Sequence, residues 1–320
     1  MEPQRAIALV ADGINLAVGD RLNIADPTRL RNPLNAPMWM DSITFTQRYL
    51  DGDTGAFGLG DLMVRCFLGQ EPLTNGMVPV ATLDRIPNTS RRATGTLNQT
   101  TIPALGSYSY TWRFKKPLFV PAGGYVVTEL WNTGATANDN YTNLVVTYRG
   151  RSLPKDFVPD EIHIPWCAAY VGAVADLTDA ALTNETIQTK KTDLLNPFDV
   201  PVKIERMTGL YNVDGYPSFA YTSRVLMFDQ EYILIRLTDS TGGIIVRDPT
   251  PMGHLFQILD AAWQFNGVIQ PKQHYIAMLN LNFADFIAAF THFGSGITNG
   301  QPFVAISGYR SLPYGRVKLA

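Results

Sequence analysis

The chain repeats itself in order. The phrase RSLP stands at Arg151–Pro154 and again at Arg310–Pro313, 159 positions apart in 320 residues. TRLRNPLNAP (Thr28–Pro37) meets TDLLNPFDVP (Thr192–Pro201) at an offset of 164, sharing Thr, Leu, Asn and both prolines. LMVRC (Leu62–Cys66) aligns with ILIRL (Ile233–Leu237) on Arg65 and Arg236 at 171. VPAGGYVVTELWN (Val120–Asn132) aligns with QPKQHYIAMLNLN (Gln270–Asn282) at 150, on Pro121/Pro271, Tyr125/Tyr275 and Asn132/Asn282. Offsets drift while order holds, as happens when loops change length between retained strands. Such self-similarity is the signature of a duplicated structural unit. The two units are residues 1–160 and 161–320.

Within each unit the hydrophobic period is two. In SYSYTWRF, Tyr108, Tyr110, Trp112 and Phe114 fall on one face of a strand, with Ser109, Thr111 and Arg113 on the other. PVKIERM alternates Val202 and Ile204 with Lys203 and Glu205. GYVVTELW, TNLVVTYR, EYILIRL, GGIIVR, HYIAMLNL and FVAISGY add β-branched and aromatic strand candidates. The 26 glycines and 21 prolines punctuate them. Helical spacing appears in FADFIAAF (Phe283–Phe290), HLFQILDAAW (His254–Trp263) and GAVADLTDAAL (Gly172–Leu182), all between strands. The first unit carries the longer excursion, around Asn88–Gly106. The segment Lys155–Leu195 is too apolar for a linker, and its EIHIPWCAAYVGAV is expected to supply the first strand of the second unit. Units of roughly 150 residues with many short strands suit an all-β chain of two tandem eight-stranded jelly rolls, with a few short helices in loops.

Catalytic motifs are missing where they would be expected. His163, His254, His274 and His292 form no close pair of the kind a metal-binding cupin needs. No nucleophile elbow, HExxH motif, P-loop or dinucleotide fingerprint occurs. GAFGLGD (Gly55–Asp61) reads as a turn, and DGDTG (Asp51–Gly55) as a hairpin loop, since the position of the calcium-loop glutamate is Leu62. The pairs Arg91–Arg92 and Lys190–Lys191 read as solvated loop charges. No catalytic, cofactor-binding or metal site is expected. A net charge of −2 provides no basic field for nucleic acid. Cys66 and Cys167 are no disulfide framework, and Cys66 reads as a buried free thiol. The N-terminal MEPQRAIALVADG shows no signal-peptide pattern, no apolar run is long enough to span a membrane, and the sequons at Asn88, Asn98, Asn140 and Asn184 carry little weight without secretion. Charged residues make up 17%, against the usual ~25%, which suggests an exterior covered by partners.

Two tandem jelly rolls with duplicated NP…P, P…Y and RSLP phrases and no enzymatic motif resemble the double jelly-roll major capsid proteins of tailless icosahedral viruses and phages, many with an internal membrane. That resemblance covers nearly the whole chain. It implies a virion structural protein, made in the host cytoplasm, with no enzymatic activity and no cofactor. Its partners would be itself, as a homotrimeric pseudo-hexameric capsomer, neighbouring capsomers, other capsid proteins such as pentons, and an internal viral membrane, with no sequence-specific nucleic-acid binding. By the same analogy Asn88–Gly106 is a tower or inter-subunit element, and residues 1–27 make inner contacts with neighbours or membrane. Residues 1–27 and 165–191 are expected to contribute to contacts between subunits or rolls. A carbohydrate- or receptor-binding β-sandwich and a bicupin-like enzyme are the alternatives.

Overall fold

The computed structural model describes residues 6–24, 31–48, 61–83, 107–134, 141–172, 185–214, 225–227, 233–251, 262–263, 267–281 and 299–316. In the first half these form β1 (Ala6–Leu16), β2 (Arg21–Ile24), β3 (Met38–Arg48), β4 (Leu62–Leu68), β5 (Glu71–Pro72), β6 (Thr74–Asn75), β7 (Val78–Pro79), β8 (Ser107–Val120), β9 (Val126–Asn132) and β10 (Tyr141–Ser152). The second half holds β11 (Glu161–Val171), β12 (Glu185–Gln188), β13 (Val202–Asp214), β14 (Val225–Met227), β15 (Ile233–Asp239), β16 (Ile244–Pro251), β17 (Ala262–Trp263), β18 (Gly267–Ile269), β19 (Tyr275–Leu281) and β20 (Asn299–Pro313).

The sheets of the two halves match strand for strand. One sheet of the first half runs β1-β10-β3-β8, and its counterpart runs β11-β20-β13 with β17 and β18 paired to β13. The facing sheets run β2-β9-β4-β5 and β12-β19-β15-β16. Each half is thus a jelly roll of two four-stranded layers, as its alternating pattern predicts. On β8, Tyr110 and Trp112 are buried while Arg113 is exposed; on β13, Val202 and Ile204 are buried while Lys203 is exposed. The segment expected to open the second roll does so as β11.

Each roll is entered through the same buried asparagine. Asn32 donates from Nδ2 to the carbonyls of Ala36 (2.8 Å) and Pro121 (3.1 Å) and accepts from Leu34 N–H. Asn196 donates to Val200 and Ile269 (2.9 Å each) and accepts from Phe198 N–H. The NP phrase recurs because this amide satisfies backbone groups of the bend leading into β3 and into β13. Arg65 and Arg236 also correspond: Arg65 pairs with Glu129 and Arg236 with Met278, beside the matched pairs Val64–Leu130 and Ile235–Leu279.

Two other anchors lie one residue out of register. The turn before β9 is closed by Gly124 N–H on the Pro121 carbonyl, and that before β19 by Gln273 N–H on the Gln270 carbonyl, an offset of 149. Tyr125 therefore corresponds to His274, and buried Val126 to buried Tyr275. The shared proline and tyrosine of the sequence alignment were a misleading match, because a one-residue slip reverses the face of every side chain. Near RSLP the ladder offset is 158: Gly150 faces Met40 in the first roll, and Gly308 faces Ile204 in the second. Both glycines lie opposite a bulge, formed by Asp41 and Glu205, where a Cβ would collide with the carbonyl of Trp39 or of Lys203.

The helix expected at His254–Trp263 ends differently, since Ala262 and Trp263 pair with β13 as strand. The remainder of that segment, Phe283–Phe290, Ala173–Leu182 and Asn88–Gly106 lie outside the described residues. The described helices are short 3₁₀ turns at Val80–Thr82 and Tyr314–Arg316. No helix among the described residues is long and apolar enough to cross a membrane.

Candidate assembly interface between the rolls

The chain after β4 leaves the first roll and settles on the second. Leu73–Met77 forms an arch with β6 at its crest, before β7 returns to pair with β4. β6 adds in parallel to β11, Thr74 opposite Cys167 and Asn75 opposite Ala168. Leu73 holds both rolls at once: its N–H donates to Cys66 O (2.8 Å), and its carbonyl accepts from Cys167 N–H (3.0 Å). Asn75 Nδ2 donates to the carbonyls of Thr192 (3.3 Å) and Leu195 (3.4 Å). The outer edge of β11 is in this way covered rather than left as an open template. Residues 165–171 thus contribute to contact between the rolls, as expected of the stretch before TDLLNP.

Two arginines of the second roll fasten the arch. Arg310, 4% exposed, reaches Glu71 at 2.7 Å and lies 3.6 Å over the ring of Phe198. Burial lowers its pKa from the ordinary arginine value, and the adjoining Glu71 carboxylate opposes that shift. Arg206 donates from one guanidinium nitrogen to the carbonyls of Thr82 (3.1 Å) and Leu83 (2.8 Å), the end of the 3₁₀ turn that follows the arch. At the other contact, Lys115 of β8 stands 3.4 Å from Glu205 of β13. Apolar packing is continuous across the boundary: Ile162, Ile164, Cys167, Phe303, Ala305 and Leu312 of the second roll belong to the core of the first. No sequence motif marks the arch. Its legible signal was confined to the repeated arginine phrase, and that left open which copy is buried.

The residues weighed for chemistry do not converge. His163 on β11 bonds Ser311 (2.9 Å) and meets Tyr309 edge-on, whereas His274 lies at the start of the strand leading into β19. His254 and His292 fall outside the described residues, as do Asp51–Gly60 and Arg91–Arg92. Lys190 and Lys191 are exposed. Among the described residues no three His, Cys, Asp or Glu side chains gather as a metal site requires. Cys66 and Cys167 are both buried and free, and burial pushes each thiol up to about 12, so neither is a thiolate at neutral pH.

This fold has a solved counterpart over its full length. The chain is similar to the crystal structure of the MCP of STIV, the Sulfolobus Turreted Icosahedral Virus, at a TM-score of 0.50 and 14% identity, with 98% of each chain covered. Two further structures align at lower scores: the major capsid protein P2 of bacteriophage PM2 (TM-score 0.43, 11% identity, 96% of this chain and 98% of that one) and the capsid of PBCV-1 virus (0.47, 9%, 98% and 95%). No protein-family model matches the sequence, and no curated protein matches it. The chain has the double jelly-roll fold.

Proposed function

We propose that this protein is the major capsid subunit of a tailless icosahedral virus, a structural protein of the virion rather than an enzyme. The observation that carries this reading is the tandem of matching jelly rolls locked side by side by the arch, Arg310 and Arg206. The full-length likeness to the STIV coat protein supports it. Three copies of a two-roll chain present six similar lobes, which suit a hexagonal lattice in which each contact reuses the same patches. The units are residues 1–160 and 161–320, and the subunit's partners are its own copies, neighbouring capsomers, penton proteins and an internal membrane. The low charged content agrees with surfaces destined for neighbours.

Sedimentation of the purified chain at micromolar concentration, with electron microscopy of the same sample, tests this. A trimer, or shells and hexagonal sheets, is expected. A folded monomer at every concentration, above all one retained on a glycan array, overturns the reading in favour of a carbohydrate-binding β-sandwich.

A further inference from the structure

The segments that form the inter-roll joint each have a counterpart in the other half of the chain. Along the ladders, Phe67 faces Pro72, Val64 faces Val78 and Met63 faces Pro79. In the second roll Thr238 faces Ile244, Ile235 faces Thr250 and Leu234 faces Pro251. With Arg65 and Arg236 in register, the arch PLTNGMVP (Pro72–Pro79) corresponds residue for residue to IIVRDPTP (Ile244–Pro251). The receiving edge is duplicated as well. Ile7 faces Gly150 as Trp166 faces Gly308, so Ala8 and Leu9 stand where Cys167 and Ala168 do.

The halves that meet within the chain are buried, whereas their counterparts reach solvent in part. Leu73, Thr74, Cys167 and Ala168 are buried. Of their direct counterparts Ala8 is exposed and Ile245 half-buried, while Val246 and Leu9 turn into the cores of their own rolls; beside them Ile244 is 63% exposed and Val10 43%, and Ala6, Arg247 and Asp248 are exposed. Among the described residues β1 pairs with β10 alone and β16 with β15 alone, so each ends its sheet there. The outward side chains of the first half of β1 are Ala6, Ala8 and Val10, with none of the charges or prolines that guard a solvent-facing edge. Arg247 takes the place of Asn75, whose amide bonds the Leu195 carbonyl, and an arginine's five donors suit the same task at the corresponding Arg31 carbonyl.

We propose that a second copy of this chain makes the corresponding joint, its Ile244–Pro251 arch seating on the outer edge of β1 with Val246–Arg247 parallel to Ala8–Leu9. The inference rests on the capsid reading above and names the contact that builds the capsomer. This contact is heterologous: each chain offers a β1 edge to one neighbour and an arch to another. In the closed ring of three, joints within one chain and joints between two chains alternate.

Two variants test the joint. Cys167 N–H is the donor to Leu73 O, so by the same register Ala8 N–H points to the outer edge. Ala8→Pro removes that donor at an edge position where proline is tolerated. It is expected to leave circular dichroism unchanged while converting trimer to monomer in sedimentation. Ala8→Cys combined with Arg247→Cys, treated with a short bis-maleimide, is expected to give a covalent trimer on a denaturing gel, with the two buried native thiols unreactive. Should Ala8→Pro unfold, the cross-link decides alone. A wild type that trimerises while the double-cysteine chain stays uncross-linked, or a folded Ala8→Pro chain that trimerises normally, overturns the joint and leaves the capsid reading standing. A wild type that is monomeric throughout removes both.

Discussion

Arg310 of β20 lies 2.7 Å from Glu71 of β5, across the boundary between the rolls. Arg151 opens the same RSLP phrase in the first roll and is exposed. The difference follows from one extra residue: Gly150 is followed directly by its arginine, whereas Tyr309 separates Gly308 from Arg310. One added residue turns the side chain to the other face of the strand. Removing one partner of a buried pair strands the other, at a cost of about 3 kcal/mol or more. Arg310→Ala is expected to lose that much in urea denaturation, while Arg151→Ala stays within about 0.5 kcal/mol of wild type. Equal losses in the two variants would refute the assignment.

The glycines facing the bulges should be intolerant of any side chain. At Gly150 and Gly308 the added Cβ meets backbone carbonyl rather than a side chain that could rotate away. Gly150→Ala and Gly308→Ala are each expected to lose about 3 kcal/mol, as the ladder opens to make room. Gly13→Ala serves as the control: nothing lies within 4 Å of its Cβ, and its positive φ alone sets a cost of about 1 kcal/mol. Chemical denaturation of the three variants side by side checks the order.

The paired asparagines should behave as equivalents. Asn32→Ala and Asn196→Ala each strip two carbonyls and one N–H of their partner in a buried bend. A loss of about 2–4 kcal/mol is expected from each. Aspartate would not rescue either site, because Nδ2 is the donor in both. If Asn32→Asp or Asn196→Asp kept wild-type stability, the donor role given to these amides would be wrong.

His163 and His274 make the fold sensitive to mild acid. Burial holds both imidazoles below their ordinary value; Lys116 and Lys203 add to this at His163 against Glu161, and Lys191 adds to it at His274. A depressed histidine favours the fold while neutral. As pH falls below about 6.5 the unfolded chain takes up the proton first, so stability drops until the folded imidazoles protonate too. Urea midpoints at pH 7.5 and 5.5 should differ more for wild type than for the His163→Gln, His274→Gln double variant. Identical pH dependence in the two would contradict the assignment.

The sequence by itself determined the two-residue alternation, and with it the strands, the jelly-roll layers and their duplication. It also placed Asn32 on Asn196 and Arg65 on Arg236 correctly, because no insertion separates those residues from the strands they begin or occupy. What it could not determine was pairing. The matched prolines before β9 and β19 and the matched RSLP phrases are each one residue away from the correspondence that the ladders make. Only the tertiary structure decided that Arg310 is buried and Arg151 is not, and that PLTNGMVP, unremarked in the sequence, is the segment that joins the rolls. The physical reason is that register is settled by hydrogen bonds and packing between strands far apart in the chain, where one inserted residue exchanges core for solvent. Letters matched along the chain carry no record of which face they present.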